Sequence, residues 1–492
     1  MRARGFLLAT VLLMAASGLL FVVRRPAGPP SPPPHAGPAR PPRGASATPP
    51  PPVTVAGERA AEVVVYGGTP AGVAAAVAAA RMGRTVILAE PTDALGGDQV
   101  HAYQTMMDMS YGPRYFVVTR GLFLEVFRKL GYVFDPQTAA RVFHDMVTAE
   151  KKIRLIYRAR LVRAERKDAH VTAVVVQEPG GDYRLSGERF VDATNDADLA
   201  AAAGVPHSLG REAGGPDRRM QSATLIFRVT GVDWPALVAA RFGSGRGDRL
   251  VWGFSKIVAA YRPRTPGVAA YDLNLGRLPD GSVVINSINI FGVDGTDPRS
   301  AAGGRRRALE EIPHFIGHLR GHLPGFSRAE FLDAAPGLYV RETRLIHGLY
   351  TLTAKDVLSG RVFEDQIGAA SYPIDLHPYG PGDGNPHAPV RRIYTIPLRS
   401  LIPQKVEGLL VASRALGATY EAAGSVRVMP STMVVGEAAG VAAAISIDAR
   451  ALVHGFAQRP DLVARVQEAL RRTGAFLLTP DLPEAFRKPI RL

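Results

Sequence analysis

The chain has 492 residues, 46% hydrophobic and 21% charged, which excludes disorder over its whole length and is ample for two packed domains. It holds no cysteine, so disulfides, thiolate zinc sites, cysteine-ligated iron–sulfur clusters, cysteine nucleophiles and a lipoprotein-type anchor are ruled out. Of the net charge of +15, residues 1–60 carry +6 (seven Arg, one Glu) and the densest later run is Arg305-Arg306-Arg307, so an anionic cofactor or substrate accounts for the excess and no nucleic-acid partner is expected.

Arg2 and Arg4 precede an uncharged run of 18 residues, Phe6 to Val23, closed by Arg24 and Arg25. That length just spans a hydrocarbon core, so residues 1–25 read as a signal anchor. A cleaved signal peptide, with Ala15-Ala16-Ser17 as its cleavage site, and a buried helix are the alternatives. Arg2-Ala3-Arg4 is not a twin-arginine pair, and two arginines on each side leave orientation unset. Residues 26–52 contain 13 of the 40 prolines, so 26–60 is expected to be a disordered, extended spacer. An anchor followed by a spacer implies a folded unit tethered to a membrane or secreted, outside the cytoplasm.

Val63 to Tyr66 reads as a β-branched strand, Gly67-Gly68-Thr69-Pro70-Ala71-Gly72 as a turn, and the alanine-rich run to Met82 as a helix stopped by Gly83. Thr85 to Ala89 is a second strand, ending on Glu90. This βαβ order is that of a dinucleotide-binding unit. Gly67 permits the tight turn, Pro70 suits the first helical turn, and Gly72 lets the helix pack close to the strand. The helix N-terminus faces a pyrophosphate and Glu90 accepts from a ribose. Thr69 stands where the fingerprint has its second glycine. Leu95-Gly96-Gly97-Asp98 lets the chain pass close to a second, bulky ligand surface, which an NAD-only domain does not need.

Ile153 to Tyr157 and Val171 to Val176 are β-rich. Phe190-Val191-Asp192-Ala193-Thr194-Asn195 reads as a strand and turn. Thr224 to Val229 and Val283 to Ile290 read as strands and 301–322 as a helix. On that helix His314, His318 and His322 share one face, and we read them as a solvated face rather than a metal site, because no carboxylate completes the set. Arg341-Glu342-Thr343-Arg344 is either an ion-pair cluster or a segment that turns one arginine fork to a substrate. Gly408 to Ser413 is a buried strand, and a helix starts at Pro430 and continues to Ala444.

Four blocks, namely Val65 to Glu90 with Gly96-Gly97, Phe190 to Ala200, Arg341 to Gly348, and Leu409 to Gly440, resemble the FAD-dependent oxidoreductases of the glutathione-reductase-like superfamily. Within it the chain is most similar to the bacterial group called FAD dependent oxidoreductase or, loosely, xanthan-lyase-like. The resemblance implies an α/β fold: a Rossmann-like FAD-binding domain (61–204 plus 400–450) with a β-meander, an inserted α+β substrate domain (205–399), and a helical extension (451–492). It implies FAD on Gly67, Gly68, Thr69, Pro70, Ala71, Gly72, Glu90, Gly96, Gly97, Thr194, Arg414, Gly436 and Glu437, with the Pro430 helix aimed at the flavin. Asn195 replaces a motif glycine and is expected to keep the turn in a left-handed conformation. Tyr420 stands where relatives often carry His.

The expected activity is hydride transfer from a small, hydroxylated or carbohydrate-like substrate to the flavin, with an unidentified electron acceptor. A surface-tethered binding protein without turnover is the rival reading. The resemblance places Tyr372 to His377 towards the active site. His377 is the expected base, oriented by Asp375, with a pKa near 6.5 suited to proton abstraction. Arg344 is the expected substrate clamp, and Tyr394 and Tyr420 are the next candidates for the base. No metal is expected.

Overall fold

The computed structural model describes residues 55–241, 245–246, 248–384, 386–480, 482–486 and 488. The expected anchor at 1–25 and the spacer as far as residue 54 lie outside them. The chain enters through β1 (Gly57–Ala60). β2 (Val63–Tyr66) follows, buried throughout, then α1 (Pro70–Arg81) and β3 (Val86–Ala89). Thr69 caps α1, its hydroxyl accepting from Gly72 N–H at 3.3 Å. Two amphipathic helices, α2 (Leu122–Leu130) and α3 (Pro136–Thr148), lead to β4 (Ile153–Ile156). β4 pairs in parallel with β3, so this run is an edge of the central sheet and not part of the meander. A short apolar run reads the same in either setting.

The meander is β5 (Arg160–Lys167), β6 (His170–Glu178) and β7 (Gly181–Ser186), all antiparallel. β1 adds to it in parallel with β7, which corrects the spacer boundary at residue 60. Arg59 pairs with Glu178 and stacks 4.0 Å over the Tyr183 ring, and these contacts hold a polar segment in the sheet. β8 (Arg189–Asp192) then returns to the central sheet.

The second layer is antiparallel: β9 (Ala223–Thr224), β10 (Phe227–Thr230), β11 (Gly245–Arg246), β12 (Leu250–Trp252), β13 (Val268–Arg277), β14 (Val283–Ile290) and, after α4 (Pro298–His322), β15 (Glu330–Ala334). The order is β11-β12-β13-β14-β10-β15, with β9 on β14. α4 covers this sheet with Ala308, Ile312, Phe315 and Leu319, a helical stripe on a second apolar core. His314 is exposed, His318 Nε2 lies 2.9 Å from Ile257 O, and the His322 ring stacks 4.2 Å from it. Among the described residues no group of three metal-ligating side chains occurs.

The second core ends at Ala335, and Leu345, Phe363, Ile367, Tyr394 and Leu398 join the first core with α1. The stretch 205–399 is thus shared among several cores, the two largest being these. β16 (Leu409–Val411) completes the parallel sheet, order β16-β8-β2-β3-β4. α5 (Tyr420–Val426), α6 (Met429–Asp448) and α7 (Pro460–Arg472) follow. α6 is long and apolar enough to cross a membrane, yet 89% of its apolar window is buried against the protein. It crosses α1 at glycines: a Cβ on Gly436 would stand 2.1 Å from Ala71 O, and one on Gly440 2.2 Å from Ala75 O.

Candidate active site

The turn between β2 and α1 leaves no room for side chains. Gly67 has φ +100°, and a Cβ there would meet Thr194 N at 2.7 Å; one on Gly72 would meet Gly67 O at 1.8 Å. A Cβ on Gly68 would stand 2.3 Å from Leu95 Cδ2. Thr69 replaces the second glycine to a purpose: its hydroxyl donates to Ala193 O at 2.8 Å, tying the start of α1 to the end of β8. Thr69, Pro70 and Ala71 line a narrow cleft. Glu90 is buried and accepts from Gly68 N–H at 2.5 Å and Thr92 N–H at 2.8 Å. Gly96 N–H donates to Gly68 O at 2.8 Å, which folds the Gly96-Gly97 turn back onto the first one.

Asp192, at the end of β8, accepts from Thr194 N–H (2.9 Å), the Thr194 hydroxyl (2.7 Å) and Ala200 N–H (2.7 Å), and burial pushes it up to about 7. Thr194 therefore orders this turn with its side chain. Asn195 lines the cleft, and the left-handed residue here is Ala197 (φ 53°), not Asn195. Arg414 is buried on the opposite wall, its two terminal nitrogens each 2.8 Å from a carboxylate, Asp98 and Asp196. The N-terminus of α6 reaches the same wall through Val428, Met429 and Thr432, and no side chain caps it.

The cleft opens, past Gln104, Met107, Asp108, Tyr339, Arg341 and Arg427, into a chamber of about 800 Å³ against the antiparallel sheet. His377 lines the chamber. Its Nε2 is 3.6 Å from Asp375 Oδ2, and its Nδ1 has no hydrogen-bond partner. Burial and the nearby Arg341 charge lower it to about 4, so it stays neutral at physiological pH. Arg427 donates to Asp375 Oδ2 and to the Tyr339 hydroxyl, both at 2.8 Å. Burial opposes ionisation of Asp375, yet His377, His387 and Arg427 together hold it well below the usual carboxylate range. Asp108 accepts from the Tyr372 hydroxyl at 3.1 Å, and burial, then the Asp375 charge, push it up to about 6.

Several expected residues lie elsewhere. Arg344 is turned away from the chamber, on Asp198 Oδ1 and Asp196 O (2.8 Å each); it is Arg341 that faces in. Tyr394 is fully buried, its hydroxyl 2.7 Å from Ser425 Oγ, so it cannot meet a substrate. Gly436 packs on α1, and Glu437 binds Leu122 N–H at 2.9 Å and the Thr473 hydroxyl at 2.5 Å; neither lines the cleft, and both serve helix packing. Tyr420 packs on Tyr379 with ring centroids 6.2 Å apart and does not line the chamber. Sequence reading missed Asp108 and Arg427, and of the two arginines in Arg341 to Arg344 it chose Arg344 where Arg341 faces in. A lone Asp within Met106-Met107-Asp108-Met109 was the available signal for the first, since an acid in an apolar run demands a reason.

A parallel sheet, its glycine turn and capped helix, an acidic residue ending the next strand and an open cleft beyond them define a dinucleotide-binding α/β enzyme. The chain belongs to the FAD dependent oxidoreductase family, whose sequence model matches residues 62–470. It is a flavoenzyme, and FAD is its cofactor. Solved structures similar to it include a geranylgeranyl bacteriochlorophyll reductase-like protein from Thermoplasma acidophilum (11% identity, 85% of this chain and 84% of that one, TM-score 0.46). Others are a p-nitrophenol 4-monooxygenase from Pseudomonas putida (10%, 85% and 89%, 0.42) and a flavoprotein/dehydrogenase from Cytophaga hutchinsonii (12%, 84% and 87%, 0.41). No curated protein matches the chain.

Proposed function

We propose that the enzyme oxidises a small, hydroxylated or carbohydrate-like substrate in the chamber, and that its blocks at Arg341 to Gly348 and Leu409 to Gly440 place it in the xanthan-lyase-like group. The observation that carries the reading is the continuity of the cleft, from the glycine turn to a chamber walled by His377 with an unpartnered Nδ1. The turn at Gly67 to Gly72 and the α1 N-terminus suit a pyrophosphate, and Glu90 suits a ribose. Arg414 and the uncapped start of α6 stand where the ring system would be held.

Oxidising an alcohol removes a hydride from carbon and a proton from oxygen. FAD, when bound, supplies the hydride acceptor. His377 Nδ1 takes the proton, and the Asp375 carboxylate, 3.6 Å from Nε2, favours the tautomer with its hydrogen there and the charged ring that results. Arg427 fixes Asp375 in turn, so the ring orientation is set before substrate enters. Asp108 is a second proton acceptor on the same wall. The two electrons leave for an acceptor drawn from solution. Anaerobic addition of alcohols and sugar derivatives to the purified yellow protein tests this: at least one bleaches the flavin band. Bleaching by none of them, with dithionite still able to bleach it, overturns the reading.

The apolar run from Phe6 to Val23 and the proline-rich spacer support a tether that places the folded unit outside the cytoplasm of a bacterium. Recovery of the intact chain in the soluble cytosol overturns that.

A further inference from the structure

We infer that the substrate is an acid, and that its carboxylate docks on the Nε–Nη2 edge of Arg341. This rests on reading the chamber as the substrate's.

Three buried arginines wall the cleft, and two are neutralised. Arg414 holds Asp98 and Asp196, and Arg427 holds Asp375. Arg341, 3% exposed, has no carboxylate within ion-pair distance among the described residues. Its Nη1 donates to Ser222 O at 3.0 Å and to the Thr224 hydroxyl at 2.8 Å. Those bonds leave the buried Nε without a partner, and Nη2, the parallel donor of the same fork edge, makes no hydrogen bond among the described residues. The Tyr339 ring lies 4.6 Å from its Cζ.

A buried guanidinium with an unused edge and no carboxylate in direct contact is an unfavourable arrangement for folding alone. Burial lowers its proton affinity, to about 10, which still leaves it charged at neutral pH. A planar carboxylate matches the edge with two charge-assisted bonds. A phosphate dianion suits the site less, because Asp108 and Asp375 already face the same space and would repel a second negative charge. The Arg341 charge is also among the influences on His377, so the two side chains are neighbours. Arg341 and His377 line the same chamber, so a carboxylate on Arg341 keeps the neighbouring carbon and its hydroxyl in the space that His377 walls. The class is therefore a hydroxy acid, sugar acids included, and the chamber of about 800 Å³ admits more than the smallest of them.

Titration of the oxidised holoenzyme with benzoate, benzamide and inorganic phosphate, followed by perturbation of the flavin absorbance, tests this. In the wild type benzoate binds at least about tenfold more tightly than benzamide or phosphate. Arg341→Gln removes that preference while FAD content and melting temperature stay at wild-type values. Arg341→Lys, which keeps the charge and loses the fork, weakens benzoate with FAD retained. Equal affinities in the wild type, phosphate binding as tightly as benzoate, or a preference that survives Arg341→Gln overturns the proposal. Loss of FAD from a folded Arg341→Gln or Arg341→Lys protein assigns the edge to the cofactor and overturns it also. Bleaching by neutral alcohols with no preference for carboxylates defeats this inference and leaves the alcohol-oxidation reading standing, so the two failures are distinct.

Discussion

Glu437 shows how far one carboxylate can be from the role its motif implies. It is 1% exposed, bonded to Leu122 N–H and Thr473, and burial raises it to about 7. In the unfolded chain a Glu titrates near about 4.3. Between those values the native state binds more protons than the unfolded state, so Glu437 lowers stability as pH rises from about 4.3 to about 7, and the deficit is complete above that. Glu437→Gln keeps an acceptor for Leu122 and carries no charge. Thermal unfolding should show it a few degrees more stable than wild type at pH 8 and no more stable at pH 4. Residue roles of this kind were the least legible in the sequence. The segment Arg341-Glu342-Thr343-Arg344 was recognisable, but which arginine faces the cleft depends on the strand geometry: Arg344 lies in a short strand paired with 207–209, whereas Arg341 precedes it. The pKa of His377 was equally hidden, because its shift comes from burial and from Arg341, 36 positions earlier.

At the scale of elements, α1 and α6 form the axis on which the cleft depends. Alanines on one helix and Gly436 and Gly440 on the other bring the backbones together, and the N-termini of both helices end on the cleft wall. Gly440→Ala inserts a methyl group 2.2 Å from Ala75 O. Chemical denaturation should show a loss of about 1–3 kcal/mol, with the midpoint lowered. The βαβ order at 63–90 was legible because turn, helix, stop and acid arrive at fixed spacing. The strand at Ile153 was misplaced because four apolar residues carry no mark of which sheet they join. The left-handed residue after β8 was misassigned to Asn195, since the sequence offers a tolerant side chain there while the bend itself is taken by Ala197.

For the molecule as a whole, the two largest cores among the described residues flank one cleft. β1 extends the meander beside β7. A chain beginning at residue 62 lacks β1 and the Arg59–Glu178 pair and should melt at a lower temperature than one beginning at residue 55 in differential scanning calorimetry. Composition foretold a structured unit after the proline-rich stretch, but not that Gly57–Ala60, polar and short, would be held by a strand about 120 residues later, because that pairing exists only in the folded sheet. The central claim is that this cleft joins a flavin to a proton acceptor, His377. Anaerobic single-turnover reduction of the bound flavin, measured in wild type and His377→Ala with a substrate that bleaches the wild type, tests it most directly. In the variant the rate should be lower by about 10²–10⁴-fold at pH 7. FAD content is unchanged, and the wild-type rate falls off only as pH drops towards about 4, where His377 becomes protonated. Reduction of His377→Ala at the wild-type rate across pH 5–9 would contradict it.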